Sequence, residues 1–568
     1  MTSMRGATAI EASGLTFGQF IDAAADRFGA GPAMVAYDRS AGDDVIVRKT
    51  YRELAQEVHA LQAALAAEGV QPGDRVSVWL SSFPEWIVYL FALTRLGAAF
   101  VPVNPRFGSH ELRFVLEHSG SSTLVAAGAY LGRDYAATIA EVIGDWRPGG
   151  GGALPELRRI IGVRTRPHPA ALDTGELIER GRRMCATHGL PAASADVDAT
   201  AVLFYTSGTT AFPKGVPLTH RNLLPHSVEC GSLIGLSPAD RVLTLYPFFG
   251  ISGGANKVLS TFGSGACLVF QDAFRAGEAF DLLHREQCTV VHALDVQLRE
   301  LVAIAQQRHM PVPERRGTIA FMSGVDASLA ADIGKWLGLD RFIHAYGMTE
   351  TNPMVLRNEL DDPLDYRLRP GGRCAPHAEV RVVEARTGAP RASGEPGEIE
   401  VRGETVMKGY FKDPEATAEA FRNGWFRTGD IGVMTGEGHI FYLGRSRDML
   451  KVGGFNVAPQ EVEAFLRTLD AIEDVAVTGV ADSRLGEVVV AFVKLRPGFS
   501  LDTDAVRQLC RGHIANFKTP GHVAVVDRLP YHIAAHGAKL RRDVLRAWAQ
   551  ERFAVPPVHS CSQNRGAS

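Results

Sequence analysis

Ala201-Val202-Leu203-Phe204-Tyr205-Thr206-Ser207-Gly208-Thr209-Thr210-Ala211-Phe212-Pro213-Lys214-Gly215 is the stretch on which the reading of this chain turns. An apolar run with strand character passes into five consecutive small or hydroxylated residues, Thr206, Ser207, Gly208, Thr209 and Thr210, and a lysine and a glycine close the loop. Backbone N–H groups, hydroxyls and an ammonium gathered on one short loop are what a polyphosphate needs. A polar turn after a strand accounts for the hydroxyls but not for the Pro-Lys-Gly ending. The ordinary P-loop is excluded, because it requires Gly-Lys followed by Ser or Thr, and here Lys214 follows Pro213.

The chain around this loop has 568 residues, too many for one core, so several structural units are expected. Lys+Arg 60 against Asp+Glu 63 gives a net charge of −3, which favours neither nucleic acid nor an anionic membrane as partner. Seven dispersed cysteines argue against a disulfide framework or a zinc site. The first residues lack the apolar core of a signal peptide, and the apolar stretch 86–103 carries Arg95, Gly97 and Pro102, so it reads as a buried helix running into a strand. A cytoplasmic protein with no integral membrane segment and no nucleic-acid partner is the expectation.

Residues 16–29 and 51–69 read as amphipathic helices, with a hairpin at 33–50 turning at 41–44. Short β-rich runs then alternate with helices (75–80, 86–96, 100–103, 111–118, 123–127), which predicts α/β layering with largely parallel strands. A second α/β stretch is expected at about 198–345, a small β subdomain from 380 to 406, and a surface loop at 149–152. A separate unit follows at 449–552, helical at 461–469 and 504–515 and extended at 475–480 and 488–495.

Four further strings carry chemistry. In Tyr346-Gly347-Met348-Thr349-Glu350-Thr351 an aromatic ring can stack on a purine, Thr349 can meet a phosphate oxygen and Glu350 offers oxygen to Mg2+, although a capped helix start explains the segment equally well. Gly424-Trp425-Phe426-Arg427-Thr428-Gly429-Asp430, followed by Gly444-Arg445-Ser446-Arg447-Asp448, sets a carboxylate where it can grip vicinal hydroxyls, with Arg445 to help. Lys451-Val452-Gly453-Gly454-Phe455 lets backbone approach a thin ligand. Near the C-terminus, Leu529-Pro530 is followed by His536-Gly537-Ala538-Lys539-Leu540-Arg541-Arg542.

In order and spacing, these strings resemble those of the adenylate-forming superfamily of acyl-CoA synthetases, luciferases and peptide-synthetase adenylation domains. The resemblance spans about 50 to 546 and includes Gly97-Ala98-Ala99-Phe100-Val101-Pro102 and Asn516-Phe517-Lys518-Thr519-Pro520. It implies a large N-terminal α/β domain with layered subdomains and a small β subdomain (1–444), a hinge (445–448) at Arg447, a small mobile α+β C-terminal lid (449–552), and a disordered tail (553–568). It implies ATP or AMP binding by Thr206, Ser207, Gly208, Thr209, Thr210, Lys214, Gly324, Tyr346, Gly347, Thr349, Asp430 and Arg445. Glu350 and Thr206 would hold Mg2+, and catalysis would fall to Lys539, Thr206, Lys214 and Glu350. Lys539 is chosen over His536 because the following helix fixes where the loop must end.

The implied reaction is attack of a carboxylate on ATP, giving acyl-AMP and pyrophosphate. Rotation about Arg447 would then bring Gly453 and Gly454 to guide CoA. The acid pocket is expected from 246–256, 292–297, 323–325 and 348–354, with Phe249, Gly250, Gly253, Ser323 and Met348 lining it. Gly250 stands where relatives commonly carry histidine or an aromatic, and the segment near Asp295 lacks a usual proline, which points to a bulky or extended hydrophobic acid. Ala211 replaces a usual glycine; at a position needing positive φ this costs about 1 kcal/mol. Loading of a carrier protein, or nucleotide binding without catalysis, are the alternatives, and homodimerisation is left open.

Overall fold

The structure, a computed structural model, describes residues 9–38, 45–130, 132–150, 152–206, 213–310, 317–321, 325, 327–452, 455–482, 484–510, 513–534 and 537–553. The side chains of 38, 317–321, 447, 455–456, 532–534 and 537–539 fall outside that description.

Local signals set the first helices. Thr16 and Gln19 form a capping box at Phe17–Phe28, and Thr50 and Glu53 do the same at Tyr51–Ala67, satisfying otherwise orphaned N–H groups. The apolar stretch at 86–103 resolves as expected. The helix Pro84–Leu96 starts on a proline and stops at Gly97, whose φ of 87° suits a residue without a β-carbon, and the strand Ala99–Pro102 follows. Among the described residues no helix is long and apolar enough to cross a membrane.

Two large sheets carry the N-terminal part. The first has seven strands, ordered Lys214–Thr219, Thr200–Thr206, Ala99–Pro102, Arg75–Trp79, Thr123–Ala126, Arg159–Gly162 and Leu172–Asp173. Its neighbours are parallel except for the antiparallel pair Thr200–Thr206 and Lys214–Thr219. The second has fourteen strands. Its parallel core joins Leu339–Met348, Gly317–Phe321, Val290–His292, Arg241–Thr244 and Cys267–Gln271. Beyond Leu339–Met348 it continues edge-on, through Asn352–Arg357 and Gly371–Cys374, into the antiparallel strands of the β subdomain.

The chain interleaves these sheets in a way that linear segmentation misses. The hairpin Pro32–Asp38 and Val45–Thr50 joins the second sheet beside Cys267–Gln271, although it precedes every strand of the first. Strands Thr200–Thr206 and Lys214–Thr219, read as the start of a second α/β stretch, belong to the first sheet. The boundary expected at about 198 therefore lies after residue 219.

A five-stranded sheet forms the C-terminal part, from Leu450–Val452, Phe455–Val457, Ile472–Asp482, Gly486–Leu495 and His522–Val525. Its two apolar clusters draw only on residues 450–553. The helices Pro459–Leu466 and Thr503–Cys510 are each shorter than their patterns suggested. Lys539 sits on a hairpin, with its backbone paired to His532, and the helix Arg542–Phe553 begins three residues later.

Candidate active site

Lys214 on the first sheet and Glu350, which follows the strand Leu339–Met348 of the second, both meet Tyr410. Thr206 and Lys214 are register partners at the mouth of the Thr200–Thr206 hairpin, so residues 207–212 connect two antiparallel strands. The Lys214 Nζ lies 4.6 Å from the centre of the Tyr410 ring, a cation–π distance. The Tyr410 hydroxyl donates to Glu350 Oε1 at 3.1 Å. Backbone bonds fix this corner: Phe411 N–H donates to the Gly215 carbonyl at 2.8 Å and Met407 N–H to the Glu350 carbonyl at 2.8 Å.

Glu350 sits on the single 3-10 turn Thr349–Thr351 that ends Leu339–Met348, with Thr349 buried beside it. Burial raises the Glu350 carboxyl above its ordinary value, against the Tyr410 hydrogen bond and the charges of Arg445 and Lys214. Among the described residues no side-chain donor other than Tyr410 reaches this carboxylate. Carboxylate and hydroxyl oxygens of Glu350 and Thr206 are donors of the hard kind that suits Mg2+.

A second group faces it. Tyr346 donates its hydroxyl to Asp430 Oδ2 at 2.7 Å, and its ring stacks on Tyr442 with centroids 5.6 Å apart. Arg445 Nε lies 2.9 Å from Asp430 Oδ1, the two residues being register partners on adjacent strands. Thr428 Oγ1 accepts from the Asp430 N–H at 3.1 Å. Burial works against the Arg445 charge, but Asp430, Tyr442, Tyr346 and Glu350 outweigh it and hold Arg445 above its ordinary value. Arg445 pairs directly with Asp430, and its charge reaches Glu350 only through space. Gly347 packs against protein here: a β-carbon would lie 2.3 Å from the Asn352 carbonyl oxygen, so glycine lets the 346–352 turn close.

Of the residues expected to line an acid pocket, Phe249 is half-buried and Gly250 buried, and Gly250 leads into the π-helix Ile251–Lys257. That wide helix exists because glycines permit it. A β-carbon on Gly254 would lie 1.9 Å from the Phe248 carbonyl oxygen and 2.4 Å from the Trp86 ring, and one on Gly253 would lie 2.4 Å from the Pro247 carbonyl oxygen. Met348 is partly buried, its N–H held by Thr351 Oγ1 at 3.3 Å. Asp295 lies close enough to raise the Tyr531 phenol above its ordinary value, behind the larger effects of burial and of Asp474. In the segment expected to act as hinge, Asp448 lies 3.8 Å from Arg542, which also pairs with Glu463 at 3.0 Å.

Lys214, Tyr346, Glu350, Asp430 and Arg445 are brought together. Ser207, Gly208, Thr209, Thr210, Ala211, Ser323, Gly324, Gly453, Gly454 and His536 lie outside the described residues, as do the side chains of Arg447 and Lys539. Tyr410, Tyr442 and Lys257 were missed. No local pattern marks Tyr410, which meets Glu350 from 60 residues away. Lys257 was legible only as a lone charge in an otherwise uncharged run.

Comparison with known proteins bears on this arrangement. Residues 21–411 match the AMP-binding enzyme family and residues 461–534 the AMP-binding enzyme C-terminal domain. The chain is 35% identical, over 89% of its length and 94% of the relative's, to a Mycobacterium tuberculosis ligase named for joining a methyl-dioxo-octahydroindenyl-propanoyl group to CoA. It is 33% identical to a feruloyl-CoA synthase of an Amycolatopsis species, over 85% and 90% of the two chains. The ATP-bound structure of MatB from Rhodopseudomonas palustris superposes with a TM-score of 0.77 at 26% identity, covering 94% of this chain and 99% of that one. The chain belongs to the AMP-binding enzyme family and is an AMP-forming acyl-CoA ligase of the adenylate-forming superfamily.

Proposed function

We propose that the enzyme activates a bulky hydrophobic carboxylic acid, and that the two groups joined by Arg445 hold the nucleotide. In this reading Asp430 grips the ribose hydroxyls, Tyr346 and Arg445 fix the orientation of its carboxylate, and Thr206, Lys214 and residues 207–210 take the phosphates. Glu350 and Thr206 hold Mg2+, which when bound neutralises phosphate charge. The chain's own work is positioning and electrostatic stabilisation, because little covalent chemistry falls to the protein in adenylyl transfer. Lys539 bridges carboxylate and phosphate, and rotation about 445–448 then exchanges it for the Gly453-Gly454 loop, which admits CoA.

One observation carries this reading: two contact groups, Lys214–Tyr410–Glu350 and Arg445–Asp430–Tyr346, lie near enough for the Arg445 charge to act on Glu350. Support for a bulky acid comes from Gly250 and from the bicyclic and aromatic acyl groups named in the two relatives. ATP–pyrophosphate exchange across linear, aromatic and polycyclic acids, repeated with CoA and thioester detection, tests it. Exchange fastest with polycyclic or aromatic acids and thioester formation with free CoA are expected. Exclusive turnover of short linear acids, or acylation of a carrier protein alone, contradicts the acid class or the acceptor respectively.

A further inference from the structure

We propose that Lys257 recognises a second acceptor oxygen, an oxo or a carboxylate group, at the end of the acid remote from its reacting carboxylate. The proposal rests on reading the 246–256 and 348–354 walls as the acid pocket. One wall, the π-helix, runs from Gly250 to Lys257; the other runs from Glu350 along Asn352–Arg357 through Met354. The two meet at the Lys257–Met354 contact.

Lys257 is only 2% exposed, and its Nζ has one hydrogen-bond partner among the described residues, the Met354 thioether at 3.4 Å. An ammonium carries three donors, and sulfur is a weak acceptor. Burying such a group without a strong partner is costly, so proteins pair buried amines or put them to use. Burial pulls this amine down to about 8, with Cys230 acting weakly the other way.

The packed neighbours supply no compensating charge. From the helix His220–Leu233, His226 is pulled down to about 4 by burial, with Nε2 set 2.7 Å from the Pro353 carbonyl oxygen, and burial pushes the Cys230 thiol up. Glu229 is engaged by both terminal nitrogens of Arg357. Two buried polar atoms of the neighbouring residues Asn256 and His226, Oδ1 and Nδ1, lack a partner among the described residues; both are acceptors, since His226 Nε2 donates to the Pro353 carbonyl. His226, Glu229 and Cys230 place ligand atoms within 4.8 Å of one another, but Arg357 engages Glu229, the Pro353 carbonyl takes His226 Nε2, and a neighbouring ammonium opposes a cation. The unspent donors of Lys257 fit an acceptor oxygen delivered by the ligand.

Three alicyclic acids sharing one skeleton, bearing a distal methylene, ketone or carboxylate, make the test by ATP–pyrophosphate exchange. The wild-type enzyme should favour an acceptor-bearing acid over the hydrocarbon by at least about tenfold in kcat/KM, and the ketone and carboxylate arms tell which oxygen is read. Lys257→Met should lower kcat/KM for that acid, raise it for the hydrocarbon, and bring the ratio close to one. A wild-type enzyme indifferent to the distal group overturns the proposal without any variant. So does a K257M enzyme that slows on all three acids alike, the result of a merely structural amine. In both cases exchange persists and the acid-activating reading stands; absence of exchange with every acid overturns both.

Discussion

On the side proposed for the nucleotide, the charged side chains already have protein partners. Asp430 lies between Tyr346 and Arg445, Glu350 accepts from Tyr410, and Lys214 rests over the Tyr410 ring. On the side proposed for the acid, the segment from Gly250 to Lys257 is built largely on small residues, and its single charge has one hydrogen-bond partner among the described residues, a thioether. The difference separates two tasks. A group common to every turnover is met by dipoles and charges fixed in advance, which removes reorganisation from the reaction. The variable substrate is met by space and by one unsatisfied donor, where a small substitution can redirect specificity without touching the chemistry.

The largest effect should come from cutting the nucleotide side at Asp430. Asp430→Ala leaves the Tyr346 hydroxyl and Arg445 without their acceptor, and pyrophosphate exchange should fall by about 10³-fold, an oxyanion-hole-sized loss. Urea unfolding should show a cost of about 2 kcal/mol, below that of a fully buried pair because the Arg445 side chain is 42% exposed. An equal loss for every acid tested keeps the two sides separate; an acid-dependent loss breaks the comparison.

Glu350→Gln should cost about 10²-fold in exchange, with the opposite sign in stability. A carboxyl whose folded pKa lies above its unfolded value binds its proton more tightly when folded. Its contribution is therefore present below the unfolded pKa and lost as pH rises through the folded one. At neutral pH the ionised group opposes folding, so Glu350→Gln should raise the Tm of the ligand-free protein. The acid limb of the wild-type exchange profile should lie above the ordinary glutamate value of 4.5 and disappear in the variant.

Gly250→His narrows the acid side at the start of the π-helix. It should lower kcat/KM for bulky acids by about tenfold, the scale of a pocket steric change, while KM for ATP stays put. Unchanged turnover of bulky acids removes Gly250 from the account. The smallest effect is expected from Tyr410→Phe, which keeps the ring over Lys214 and deletes only the bond to Glu350. About 1 kcal/mol, or a fivefold loss of exchange, is the expected size, the same for all acids.

The fold class was legible because its signals are local: hydroxyl loops, capping boxes such as Thr50 with Glu53, and alternating apolar runs. The interleaving of the sheets was not, because the partner of Pro32–Asp38 is Cys267–Gln271, more than 200 residues on, and nothing near residue 35 records that choice. At the site, Lys214, Glu350, Asp430 and Arg445 announce themselves through flanking glycines and threonines. Tyr410 and Tyr442 do not, since aromatic residues in strands and turns usually serve packing. The π-helix was hidden because its cause is steric. Gly253 and Gly254 look like loop residues until the Phe248 carbonyl and the Trp86 ring are seen against them.

The central claim is that an acid takes the adenylyl group of ATP on this enzyme before any thiol takes part. The most direct measurement incubates the protein with ATP, Mg2+ and a bulky carboxylic acid, without CoA, and quantifies pyrophosphate and acyl-adenylate per active site. About one equivalent of each is expected for a single-site mixed-anhydride intermediate, the adenylate being held until added CoA converts it to thioester and AMP. Release of ADP and phosphate, or thioester formation with no mixed anhydride and no pyrophosphate exchange, contradicts it.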